Sequence, residues 1–117
     1  MNITRFEEAP EYFPPNHFSM RCVRLQGHEA GPAESLWLGV SAIEPGGYTT
    51  SDASPVEKHY VVLEGEVVVM TDAGEAILAA FDSCRIAPGE RRALHNRSRS
   101  PAKILLAMPF VRPEHCG

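Results

Sequence analysis

Short apolar runs separated by Gly, Pro and Asp recur along the whole chain, and none of them keeps a helical period over three turns. That pattern predicts strands joined by tight turns. The strands are expected at residues 20–26, 35–44, 58–63, 66–71, 75–80, 83–87, 91–96 and 102–110. Joining the fourth and fifth of these runs, Thr71-Asp72-Ala73-Gly74-Glu75 reads as a hairpin loop, with Gly74 free to take positive φ. Pro45-Gly46-Gly47 and Ala87-Pro88-Gly89-Glu90 read as turns by the same chemistry. The fold class is therefore all-β: a jelly roll or small barrel of about eight or more antiparallel strands, which manages its edges by closing or doubling the sheet.

The first nineteen residues break the pattern. Pro10, Pro14 and Pro15 lack backbone donors, which rules out a regular helix or a central strand there. Four aromatics, Phe6, Tyr12, Phe13 and Phe18, argue against a solvated tail. Residues 1–19 are expected to form an extended arm packed on the barrel or on a second subunit. The barrel is then expected over 20–112, with a short tail at 113–117.

With 117 residues there is room for one domain, which buries on the order of 65% of its unfolded surface. A 44% hydrophobic and 22% charged composition with net charge −4 is that of an ordinary soluble protein and offers no electrostatic case for nucleic acid. Acidic residues cluster early and arginines late, as scattered strand-surface charges would. No apolar run has the length of a signal peptide or a membrane span, so a cytoplasmic location is expected. Cys22, Cys84 and Cys116 are odd in number and lack C-x-x-C spacing, which argues against a disulfide framework or structural zinc. The first two are expected as buried thiols and the third as an exposed one.

Five positions form a recognisable frame. Gly46-x5-Asp52-x-Ser54-x3-Lys58-x6-Gly65 keeps every interval of the first cupin signature, G-x5-H-x-H-x3,4-E-x6-G. Phe81-x5-Ala87-x-Gly89-x2-Arg92-x3-Asn96 follows the second, G-x5-P-x-G-x2-H-x3-N, and Asp82 and Pro88 also fit. The chain thus resembles a small single-domain cupin of the RmlC-like jelly-roll type. The resemblance also implies pairing into a homodimer.

Carried over position by position, the family's metal ligands become Asp52, Ser54, Lys58 and Arg92. Lys and Arg are hydrogen-bond donors that stay protonated near neutral pH unless burial intervenes. A metal beside either would cost about 4 kcal/mol per unit charge at ~4 Å, with an effective dielectric near ~20. No metal and no cofactor are expected.

Strand alternation places Lys58 and Tyr60 on one face and Glu57 and His59 on the other. The family frame aims the first pair into the barrel, where two cations facing an apolar cavity suit a small carboxylate or phosphate. The leading expectation is a metal-independent enzyme of isomerase, cyclase or lyase type. Arg92 would anchor the acid, Lys58 would stabilise developing charge or take up a proton, and Asp52 would serve as general base. Tyr48, Ser54, Tyr60, Trp37 and Phe81 are the further candidates for ligand contact. A structural alternative pairs Lys58 with Asp52, and Arg92 with Glu90 or a carbonyl, leaving no ligand. Two other functions remain open: a binding or sensing module without turnover, and a metal-dependent cupin using His59 and His95 as displaced ligands. His17, His28 and His115 are expected to be exposed.

Overall fold

The computed structural model describes residues 1–110. Arg112, His115, Cys116 and the expected tail at 113–117 lie outside the described residues. Ten strands form: β1 (Glu11–Tyr12), β2 (His17–Gln26), β3 (Leu36–Thr49), β4 (Asp52–Ala53), β5 (Lys58–Glu64), β6 (Val67–Thr71), β7 (Gly74–Leu78), β8 (Ser83–Ile86), β9 (Arg91–His95) and β10 (Ala102–Pro109). All pairings are antiparallel, in the order β7-β6-β9-β3-β10-β5-β8, with β2 also on β3, β1 on β2 and β4 on β9. The result is a nearly closed jelly-roll barrel, and the eight expected strands are all present.

The inward face follows the two-residue period of the strands. Along β5, Lys58, Tyr60 and Val62 are buried while His59 and Leu63 are exposed. Ile43, Val67, Val69, Ile86, Leu94, Ala102 and Ile104 complete the core with Tyr60 and Val62. A smaller cluster of Ala9, Val23 and Val40, with Leu25 and Leu105 packed on it, ties the amino-terminal arm to the barrel. The arm therefore packs on its own subunit, and its last three residues, 17–19, belong to β2.

Pro45-Gly46-Gly47 is not a turn. β3 runs straight through it, first beside β2 and β10 and then beside β9. Gly46 takes φ +84, and the β2–β3 register shifts between Phe18 and Met20, where Ser19 also has positive φ. The freed backbone groups are met from β9: Gly46 N–H donates to Asn96 O at 2.8 Å, and Asn96 N–H donates to Gly47 O at 2.9 Å. A Cβ on residue 47 would lie 2.6 Å from Ser19 O, so only glycine permits this approach. The expected hairpin at Gly74 forms, with Thr71 paired to Gly74.

Asn96 is fully buried and anchors the same corner. Its amide donates to Ile43 O at 3.0 Å and Ser100 O at 2.9 Å. Its oxygen accepts from Ser98 N–H at 3.0 Å and Ser98 O–H at 2.7 Å. Every polar atom of the side chain is thus used, which is how a buried amide avoids a desolvation penalty.

Candidate functional site

Lys58 opens β5, and its alternation with Tyr60 sends its ammonium inward, leaving the residue 8% exposed. Arg92 reaches the same space from β9 and is 5% exposed. Arg92 Nε–H donates to the Tyr60 hydroxyl at 2.8 Å, and Nη1–H donates to Thr49 Oγ1 at 3.3 Å and Thr50 O at 3.4 Å. Thr49, itself buried, holds the guanidinium in place because its hydroxyl also accepts from Leu94 N–H at 3.0 Å and donates to Thr50 O at 3.1 Å. Among the described residues neither cation has a carboxylate within 4.0 Å and no hydrogen bond engages the Lys58 ammonium, whose nitrogen therefore keeps some contact with the solvent of the cavity. Of the structural pairings, Lys58–Asp52 and Arg92–Glu90 do not form, since Asp52 accepts from Thr50 O–H at 2.8 Å and Glu90 from Ala87 N–H at 2.9 Å, whereas Arg92 does find a backbone carbonyl, Thr50 O.

Lys58 and Arg92 line a cavity of about 490 Å³. Leu106, Met108 and Trp37 supply apolar wall, and the arm contributes Tyr12, Phe13, Pro15 and His17. Arg24 and Glu29 complete the charged lining. Arg24 donates to Glu29 at 3.0 Å while stacking over the Tyr12 ring at 3.6 Å and the Trp37 ring at 4.3 Å. The one carboxylate in the cavity is therefore already committed to Arg24, and the uncompensated positive charge is that of Lys58 and Arg92.

Burial and then the nearby Arg92 charge push the Lys58 ammonium down to about 8, with Asp52 opposing. At neutral pH a chemically useful fraction of this amine is unprotonated. His17 was expected to be exposed; it is half-buried on the cavity wall. Its Nδ1 lies 2.7 Å from Pro15 O, which can only accept, so Nδ1 carries the proton and Nε2 keeps its lone pair. Burial, Arg92 and Lys58 lower its basicity further, against the opposing pull of the Pro15 carbonyl and Asp52. A neutral imidazole thus shares the cavity with the two cations. An extended, Pro-bounded segment carries no periodic signal, so nothing in the sequence pattern marks His17 as inward.

Several expected residues lie elsewhere. Asp52 pairs with Arg92 across β4 and β9 but does not line the cavity. Its carboxyl is held low by the Thr50 hydrogen bond, and its charge reaches Lys58 and Arg92 only through space. Ser54 caps a loop, accepting from Val56 N–H at 3.2 Å. Tyr48 points outward, 43% exposed and stacked on Phe18, while Thr49, on the same face of β3 as Ile43, is buried. Phe81 is 81% exposed on a turn with φ +72 and forms no wall. Tyr60 and Trp37 are at the site, the first against Arg92 and the second on the cavity lining.

The displaced-ligand alternative meets the same geometric test. His59 is exposed and bonds Glu57 at 2.9 Å, and His95 lies beside Arg97 and Tyr48. Among the described residues, no group of three or more His, Cys, Asp or Glu is placed to hold a metal ion. The metal implied by the family frame does not fit Lys58 and Arg92, whose donors occupy that position. Nor is any helix among the described residues long and apolar enough to cross a membrane.

These features can be set beside known proteins. A sequence model of the cupin domain matches residues 39–108. Over 108 residues the chain is 42% identical to a protein named beta-D-galactosidase from Mycobacterium tuberculosis, covering 92% of this chain and 93% of that one. The fold is similar to that of a polyketide cyclase from Streptomyces resistomycificus, with TM-score 0.85 and 20% identity over 97% of this chain and 82% of that one. It is also similar to an RmlC-like cupin from Shewanella frigidimarina, with TM-score 0.77 and 16% identity over 98% and 96% of the two chains. At such identities the likeness to the solved structures is one of fold. With the signature frame of Gly46 to Asn96, the jelly-roll topology and the matching domain model in agreement, this chain belongs to the cupin family.

Proposed function

We propose that the cavity binds a small carboxylic or phosphoric acid and moves a proton on it, in chemistry of isomerase, cyclase or lyase type. One observation carries the reading: two buried cations line one cavity, and neither has a carboxylate within 4.0 Å among the described residues. Burying unpaired charge is costly, and a bound acid would offset that cost. Arg92, oriented by Tyr60 and Thr49, presents its remaining donors to the acid group. Lys58 stabilises the charge that develops on an adjacent oxygen, and His17 accepts the proton through Nε2. Differential stabilisation of an enolate needs these donors already in place, and the Thr49 and Tyr60 hydrogen bonds hold Arg92 without substrate.

A second reading follows from the 42% identity to a protein named beta-D-galactosidase. Glycoside hydrolysis ordinarily uses two carboxyl groups, one of them protonated. The nearby carboxyls, Glu29 and Asp52, are both held toward the ionised form, Glu29 by a backbone hydrogen bond and Asp52 by Thr50. Trp37 and Tyr12, which could stack on a sugar, are covered by Arg24. These features rank the acid reading first. A thermal-shift panel pairing galacturonate with galactose and benzoate with benzyl alcohol separates the two. Stabilisation by the acids alone supports the proposal; stabilisation by galactose, with hydrolysis of a nitrophenyl galactoside, replaces it.

A further inference from the structure

Acid binding and proton transfer leave one property of Lys58 unused. The residue is 8% exposed, has no hydrogen-bond acceptor among the described residues, and faces a cavity in which Arg92 is fixed by Tyr60 and Thr49 and Arg24 is paired with Glu29. A lysine that serves only as a positive charge is usually surrounded by acceptors. One desolvated beside a second cation is instead prepared as a nucleophile.

We propose that Lys58 forms an imine with a small 2-oxo acid whose carboxylate rests on Arg92. This rests on the acid-binding reading above and specifies its substrate class. The Lys58 ammonium first passes a proton to Nε2 of His17. The freed electron pair of Nζ forms a bond to the carbonyl carbon, while the C=O π pair moves to oxygen. That oxygen takes the proton that nitrogen sheds, giving a carbinolamine. His17 then returns its proton to the hydroxyl, which leaves as water as the nitrogen lone pair closes the C=N bond. The balance is ammonium plus ketone giving iminium plus water, with no oxidant or further reactant.

Each requirement has a residue. Arg92 holds the carboxylate beside the ketone, and Leu106, Met108 and Trp37 limit the water that would hydrolyse the product. Burial and Arg92 supply free amine: at about 8, Lys58 carries on the order of 10²-fold more of it at neutral pH than an ordinary lysine. The iminium, once formed, withdraws electrons from the neighbouring carbon, which makes the proton there easier to remove. The proton-transfer chemistry proposed for the cavity is thereby given its electron sink.

The chain carries its own control, because its two lysines are Lys58 and Lys103. Lys103 is paired with Glu64 at 3.2 Å on the outer surface. The test treats the full chain with pyruvate and sodium cyanoborohydride at neutral pH, followed by intact mass and peptide mapping. The expected product is a reduced pyruvate adduct on Lys58, formed at least ~10-fold faster than on Lys103, with any adduct on the exposed Met1 amine counted apart by the peptide map. Lactate, an acid of the same size without the ketone, should slow that labelling by competition. Lys58→Met should remove the adduct, and Arg92→Met should slow it at limiting pyruvate without changing Lys103. Equal labelling of the two lysines, or none at Lys58, overturns the inference. If labelling fails while pyruvate and lactate still raise the melting temperature, the imine is wrong and acid binding stands. If the acids neither label nor stabilise, both readings fall.

Discussion

Replacing Lys58 by Met should make the protein more stable at neutral pH. Methionine keeps the length and flexibility of the lysine stem while removing the ammonium, and the inward position is flanked by Leu106 and Met108. The size of the effect follows from linkage: a fall from 10.5 to about 8 corresponds to about 3 kcal/mol of preference for the neutral amine in the folded state. The folded-state value lies below the unfolded one, so between these two pH values the unfolded chain binds more protons and stability rises with pH. Below about 8 both states are protonated and the folded protein bears the whole cost. Lys58→Met should therefore exceed the wild type by up to about 3 kcal/mol at pH ~7, and the gap should close as the pH rises past 10.5. For a domain of this size that is roughly 10 °C in melting temperature. Urea titrations of both proteins across this range give the difference directly, and the subtraction cancels tyrosine ionisation common to both. A variant that is less stable than the wild type by the same amount at every pH would refute the reasoning, because it would mean that the ammonium is satisfied in the fold.

The same shift predicts proton uptake on binding: at pH ~8 an acid that restores Lys58 toward its usual basicity should take up close to half a proton, read by calorimetry in two non-anionic buffers. No uptake would place the acid away from Lys58. Thr49→Val keeps the volume but removes the hydroxyl that links Arg92 to the β9 backbone, and should weaken acid binding about tenfold by the loss of one charge-assisted bond. Asn96→Ala should cost about 2–4 kcal/mol in chemical denaturation, since it removes the amide that bonds the Ile43 and Ser100 carbonyls and the oxygen that accepts from Ser98 at a fully buried corner.

Local chemistry explains which parts of this were legible in the sequence. Strands written as apolar runs between Gly and Pro turns could be found, because period-two burial is a property of the strand itself. Alternation put Lys58 and Tyr60 on one face and Glu57 and His59 on the other, and the family frame chose which face is inward. The Pro45-Gly46-Gly47 bend was misread because its hydrogen bonds come from Asn96 and its tight packing from Ser19, partners far away in the chain. Reading a turn at Gly46 also cut β3 short, so the alternation that puts Thr49 on the face of Ile43, where it orients Arg92, could not be followed. Phe81 looked like wall because aromatics usually are, yet its backbone has turned out of the sheet. The cavity's second side was invisible for a different reason. Tyr12, His17 and Glu29 come from the arm and the segment after β2, where no period relates a residue to the barrel interior.

The central claim is that Lys58 and Arg92 together hold an acid inside the barrel. It is tested most directly by calorimetric titration of the wild type, Lys58→Met and Arg92→Met with the acid that stabilises the wild type most. The account predicts saturable binding to the wild type and a loss of roughly 10- to 100-fold in affinity for each variant. Undiminished affinity in both variants would contradict it.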